Sequence, residues 1–231
     1  MFSTGRVART AVTTACALAV AAGCSGDDDA APEPTGLISV TTMRGALLQA
    51  NEIGPTWSAP EESADPQVLV SICGGTTPAP TAPPGAEVVS LPLADEGDTG
   101  AQTLQQTALV YPDATGAKAG QEALHAVAGT CQAKVSVPAT VTNDRNEPAY
   151  TENVAVQTLN QGGWSGFVVV RHKSYEATHP GTADTAVAVL TTRNVVLVDA
   201  YAIYRLNNAS ASAGFDADWQ RLVGTVVQRV G

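Results

Sequence analysis

The chain has few aromatic residues: three Phe, three Trp and five Tyr in 231 residues. It is also short of positive charge, with 12 Lys and Arg against 22 Asp and Glu and a formal net charge of −10. The basic residues are scattered, and Arg171, His172 and Lys173 form the sole small cluster. That excludes a nucleic-acid partner, because neutralising phosphates needs a basic face, and it argues against a surface held to anionic lipid by charge. Histidine is equally sparse, at His125, His172 and His179. There is no His-x-x-x-His pair, no Gly-x-Ser-x-Gly elbow, no glycine-rich phosphate loop and no Cys-x-x-Cys. Metal, hydrolase, nucleotide and dithiol chemistry therefore have no motif to carry them. No apolar run approaches the roughly 20 residues that a membrane-spanning helix needs.

What the sequence does have is a directed N-terminus. Arg6 and Arg9 precede an apolar run, Ala11 to Val20, and then Ala21-Ala22-Gly23-Cys24. A basic start, a short apolar stretch and small residues before a cleavage point make a signal peptide of residues 1–23. The Ala-Ala-Gly-Cys ending resembles a bacterial lipobox, with Ala21 where Leu is usual. That resemblance implies lipidation of Cys24 and anchoring of the mature chain to the extracytoplasmic face of the cell membrane; the alternative is release of a soluble protein. Residues 24–38 begin with Asp27-Asp28-Asp29 and continue with prolines. Such a segment lacks the apolar surface to fold and reads as a flexible tether. Residues 39–231 then form one domain, long enough for a proper core.

Cys16 leaves with the signal peptide and Cys24 takes the lipid, so Cys73 and Cys131 remain. In an exported domain they are expected to form one disulfide. A metal site is the weaker alternative, since neither has a Cys or His at ligand spacing.

Periodicity organises the domain. Met43, Ala46, Leu47, Ala50 and Ile53 give helical spacing, stopped by Gly54-Pro55. Gln67–Cys73 is expected as a strand, and Gly74–Gly85, rich in Gly, Thr, Ala and Pro, as a loop or mobile excursion. Strands are expected at Glu87–Leu93 and Ala101–Tyr111. A helix over Asp113–Ala133 carries Leu124, Val127, Ala128 and Cys131 on one stripe, capped by Asp113 or Thr115. Val154–Leu159 and Trp164–Lys173 form a hairpin across Asn160-Gln161-Gly162-Gly163. Thr182–Thr192 and Val195–Leu206 pair across Arg193-Asn194. A last helix, Phe215–Val230, buries Phe215, Trp219, Leu222, Val223, Val226, Val227 and Val230, with Ser212 as its expected cap. The expected fold class is α+β, an antiparallel β-sheet with helices packed on one face and a single disulfide.

Taken in order, Leu47-Leu48 to Trp57, Tyr111-Pro112-Asp113-Ala114 before a helix ending near Cys131, the strand Trp164–His172, and Thr192-Arg193-Asn194-Val195-Val196-Leu197-Val198-Asp199 before a C-terminal helix resemble the PknH-like extracellular sensor domain of a mycobacterial Ser/Thr kinase and of actinobacterial lipoproteins. Two departures stand out. The family usually has two disulfides where this chain can form one, and it often has a Trp before the helix cysteine where this chain has Val127 to Thr130. The resemblance implies an α+β fold with a cleft for an unidentified ligand and carries over no ligand residue. A more distant likeness is to lipoproteins with a Mog1/PsbP-like fold.

Individual polar residues are expected to be structural. His125 reads as a partly exposed helix residue, His172 as a solvated strand end and His179 as part of a turn. Ser165 has nothing beside it to activate it. Glu152, Asp184 and Asp199 have no spacing that marks a pair. Asp199, inside an apolar strand, needs a partner, for which Arg171 and Arg205 are the candidates. Trp57 with Trp164, and Tyr201 with Tyr204, are expected in the core rather than in a binding surface. Asn208-Ala209-Ser210 matches the glycosylation pattern by coincidence in a bacterial lipoprotein.

The sequence thus predicts no catalytic residue, no metal and no cofactor, and leaves ligand-binding residues unassigned. The expected partners are the membrane, through the lipid on Cys24, and a small hydrophobic ligand or an envelope protein. A non-catalytic sensor-like or ligand-binding domain is the leading expectation, an envelope-assembly lipoprotein the alternative. A hydrolase would require His125 or His172 to meet a serine and a carboxylate in space.

Overall fold

The computed structural model describes residues 36–61, 65–97, 100–141, 146–178, 181–206 and 214–231. The expected signal peptide with Cys16, the expected lipidation site Cys24 and the expected tether through residue 35 lie outside the described residues, as do His179, residues 208–210 and Ser212.

The elements run α1 (Val40–Ala46), α2 (Ala50–Ile53), β1 (Glu87–Gly97), β2 (Gly100–Val110), α3 (Ala114–Ala128), β3 (Lys134–Val137), β4 (Thr140–Val141), β5 (Asn146–Glu147), β6 (Tyr150–Gln161), β7 (Trp164–Tyr175), β8 (Gly181–Thr192), β9 (Val195–Leu206) and α4 (Phe215–Val230). Seven strands form one antiparallel sheet in the order β1-β2-β9-β8-β7-β6-β3, and β4 pairs with β5 apart from it. Two hairpins build its centre. Gly162 and Gly163, at φ 56° and 80°, supply the two left-handed residues that a two-residue turn between β6 and β7 requires. Arg193-Asn194 turns β8 into β9 with Arg193 at φ 49°. The Asn194 side chain is buried there. It accepts from the Ile38 N–H at 2.7 Å and donates to the carbonyls of Ile38 and Tyr111, tying three chain segments together.

The α+β class, the antiparallel sheet and the single Cys73–Cys131 disulfide are as the sequence predicts. The expectation that the helices share one face is corrected. Because side chains alternate along a strand, Val195, Leu197 and Tyr201 of β9 join one core with Met43 of α1 and Trp219, Leu222 and Val226 of α4. Val196, Val198 and Ala200 join a second core with Ala117, Leu124 and Ala128 of α3. The near-continuous apolar run of β9 is what a strand covered on both faces looks like.

Three other boundaries differ from expectation. The first helix is broken at Leu47, whose extended backbone ends α1. Gln106, buried on β2, takes the next peptide: its amide accepts from the Leu48 N–H at 2.8 Å and donates to the Leu48 carbonyl at 3.0 Å. The segment 67–73 forms no strand and joins residues 80–82 through the Val68–Thr81 bridge and hydrogen bonds from Leu69 to Pro80 and Ala82 to Gln67. That pairing anchors the loop expected as an excursion. Finally, α3 stops at Ala128, so the half-buried Cys131 lies beyond the helix. Asp113 caps α3 as expected, accepting from the Gly116 N–H at 2.8 Å.

Candidate functional site

A groove of about 570 Å³ opens where β3, β6 and β7 end. It is lined by Ser136, Val137 and Pro138, by Ala149, Tyr150 and Thr151, and by Ser174, Tyr175 and Glu176. Pairing explains the set: Tyr150 lies opposite both Val137 and Tyr175, and Thr151 opposite both Ser136 and Ser174. Consecutive residues of a strand face opposite ways, so the groove sits at the sheet's end and reaches both faces. Its walls alternate aromatic and aliphatic surface with a cross-strand row of hydroxyls.

The aromatic wall is braced from behind. Tyr175 packs against Tyr150 at 5.7 Å and edge-on against Tyr204 at 5.8 Å between ring centroids. The Lys173 ammonium sits 3.9 Å from the Tyr150 ring centroid and 2.9 Å from Glu147 Oε1, which also accepts from the Tyr175 hydroxyl at 3.3 Å. A cation held over a ring face and paired with a carboxylate fixes both rings. Burial, with the Glu147 charge second, pushes the Tyr150 and Tyr175 phenols up, so both act as neutral hydrogen-bonding groups.

Beside the groove, Glu152 and Arg171 form a buried pair at 3.6 Å, their side chains 3% and 10% exposed. Burial holds the Arg171 guanidinium below its ordinary value, with the Glu152 charge opposing. Glu152 also accepts from the Gly75 N–H at 2.6 Å. Gly74 is at φ 69°, and a Cβ on it would overlap both Arg171 and Glu152. The chain leaving Cys73 is therefore pinned twice, by the disulfide to Cys131 and by this carboxylate.

On the opposite face, β7 and β8 bring three residues together. Asp184 is the register partner of His172. Its Oδ1 lies 2.6 Å from His172 Nδ1, and His172 Nε2 lies 3.2 Å from Ser174 Oγ. The Asp184 side chain is 8% exposed and that of His172 36%.

These placements sort the residues singled out in the sequence. His172 is not a bare strand end, and Asp184 and Glu152 each have a partner. His125 is exposed and packs edge-on to Phe167 at 5.0 Å, as expected. The exposed Ser165 accepts at its carbonyl from the Gln121 side-chain amide at 3.3 Å. Trp164 and Tyr201 are core residues, the latter stacked on Phe215 with its hydroxyl 2.6 Å from Gln102. Trp57 is half-buried at the core margin, whereas Tyr204 belongs to the tyrosine cluster. Tyr150 and Tyr175 were not visible as a pair, because only the register of β6 with β7 joins them.

Asp199 is a correction. Arg171 is taken by Glu152, and among the described residues neither oxygen of Asp199, a residue 1% exposed, has a hydrogen-bond partner. Arg171 lies on the other face, and Arg205 is six residues further along the same strand. Burial alone raises the Asp199 carboxyl from its ordinary 3.8 to about 7.

Among the described residues no group of three or more His, Cys, Asp or Glu is placed to hold a metal. No family model matches the chain, and no curated protein matches it significantly. Its structure is similar to that of the extracellular domain of PknH from Mycobacterium tuberculosis, with a TM-score of 0.54 and 15% sequence identity over 84% of this chain and 97% of that one. At that identity the likeness establishes a shared fold, and the protein's architecture is that of the PknH extracellular domain.

Proposed function

We propose that this protein is a membrane-tethered extracytoplasmic lipoprotein whose domain is a sensor-like module that binds a small, largely apolar ligand in the groove between β3, β6 and β7. The groove carries the reading: paired, braced tyrosines offer an apolar wall, and the hydroxyl row offers polar contacts to orient what enters. The fold shared with the extracellular domain of PknH, the disulfide and the Ala-Ala-Gly-Cys24 ending support an extracytoplasmic location. The envelope-assembly reading would need a contiguous exposed apolar patch; among the described residues the exposed large apolar side chains are Leu37, Val68, Val141 and Val156, each alone on its segment.

Native mass spectrometry of the full chain, extracted in detergent, tests the binding. A reproducible non-covalent mass, lost on denaturation and reduced by Tyr175→Ala, is the expected result. A bare mass from every preparation would defeat the ligand reading. Tethering has its own test. The N-terminal peptide should carry lipid on Cys24, and Cys24→Ser should move the protein out of the membrane fraction. Equal membrane retention of both forms would refute the anchor.

A further inference from the structure

We propose that Ser174, His172 and Asp184 form a nucleophilic site at the groove, with a small carboxylic ester as substrate. The inference rests on the groove being where a ligand enters, because Ser174 is one of its lining residues. It goes beyond that reading by adding a covalent step, which binding alone does not require.

The strand geometry makes the arrangement. His172 and Ser174 are two apart on β7, so their side chains share a face, and Asp184 faces His172 directly from β8. All three stand on paired strands of the sheet, which hold a constellation more firmly than loops do. A carboxylate only accepts, so the 2.6 Å contact to Asp184 places the imidazole proton on Nδ1. In the neutral ring Nε2 is then an acceptor, and it receives the Ser174 hydroxyl at 3.2 Å. Nucleophile, base and orienting acid thus stand in the order that acyl transfer uses, an order recognised by geometry rather than by position in the sequence.

Exposure is graded in the direction the chemistry needs. The acid is nearly buried, the base is about one-third exposed and the hydroxyl borders the groove. The second Asp184 oxygen is buried and has no hydrogen-bond partner among the described residues. An imidazolium formed during reaction beside this carboxylate would offset the cost of its burial.

In the step itself, Ser174 Oγ bonds to the ester carbonyl carbon as its proton passes to His172 Nε2. The bond from that carbon to the alkoxy oxygen breaks, and the leaving alkoxide takes the proton from His172. Water then adds to the acyl carbon, giving a proton to His172. The bond to Oγ breaks, Ser174 regains the proton, and the products are an alcohol and a carboxylic acid. Because β7 lies between β6 and β8, its backbone N–H groups are engaged in the sheet, and oxyanion stabilisation from them is limited. Slow turnover follows, which makes the acyl adduct the proper readout.

The test treats the full chain in detergent with p-nitrophenyl butyrate and maps adducts by mass. A butyryl group on Ser174 is expected, formed faster than on Ser136 or Thr151 of the same groove. His172→Gln should slow it by about 100-fold or more, the usual share of a general base, and Asp184→Asn should slow it while leaving the circular dichroism spectrum unchanged. Ser174→Ala should abolish it; if that variant does not fold, the mapped adduct on the unsubstituted chain decides alone. No adduct on Ser174, or a rate indifferent to His172→Gln, would overturn the proposal. A chain that retains a co-purifying ligand yet gives no adduct defeats the nucleophilic site only. An adduct with no retained ligand defeats only the reversible-binding reading.

Discussion

One face of the sheet is closed by α1 and α4, the other by α3 and the irregular segment around Leu69 and Ile72, and the two are held by different forces. The first face has the larger apolar cluster, with Trp164, Trp219, Leu222 and Val226 buried beneath a 16-residue helix. It needs no cross-link, and it accommodates an unpaired Asp199. The second face has one helix and a segment without regular structure. There a disulfide and a buried ion pair fix what apolar burial leaves loose. Where regular elements run short, covalent and ionic ties replace area, the same logic that makes small exported domains rich in disulfides. The groove opens beside the cross-linked face, and its tyrosine wall abuts the Glu152–Arg171 pair.

The comparison can be broken first at Asp199. Its carboxyl is raised from 3.8 to about 7. Between those values the folded chain holds a proton that the unfolded chain has lost, so stability falls as pH rises from about 4 to about 7 and is level above that. Asp199→Asn should remove this slope. The gain in unfolding free energy should be near zero at pH 4 and on the order of 4 kcal/mol at pH 8, from the roughly three-unit difference at 1.36 kcal/mol each. Urea titrations at the two pH values check it, and a gain that does not depend on pH would show that folding does not shift the Asp199 carboxyl. On the opposite face, replacing Cys73 and Cys131 together by Ala opens a loop with a separation of 58 residues. The chain-entropy relation gives a loss of about 4 kcal/mol, and the groove tyrosines should become more accessible to solvent quencher while Trp164 stays shielded. Equal exposure of both would mean that the faces melt as one. The smallest effect is expected at the cap of α3: Asp113→Ala should cost about 1 kcal/mol, read as a shift in thermal midpoint, whereas Gly214→Ala at the start of α4, which has no side-chain cap, should change little by that mechanism.

How far the sequence went can be followed residue by residue. The alternation in Trp164–Lys173, Thr182–Thr192 and Val195–Leu206 was enough to place β7, β8 and β9, and the helical spacing from Phe215 to Val230 gave α4 to the residue. Gly162-Gly163 and Arg193-Asn194 fixed two turns because left-handed backbone is a local property. The break after Ala46 was invisible, since it depends on Gln106, 58 residues from Leu48. The candidate site was hidden for the same reason. Ser174, His172 and Asp184 match no motif, and only the pairing of β7 with β8 places a residue twelve positions away beside the histidine. Asp199 was legible as an anomaly but not as an unpaired one, because which arginine reaches which face is settled by strand parity.

The sequence by itself determined the local and the compositional: periods of two and 3.6, turn residues, an acidic surface and the one pair of cysteines in the domain. Those follow from short-range sterics and from counting, which need no knowledge of neighbours. The tertiary structure alone decided the face on which α3 lies, the partners of Glu152 and Asp184, the solitude of Asp199 and the groove of Tyr150 and Tyr175. Each of these depends on strand order and register, in which a shift of one residue would send every side chain to the opposite face.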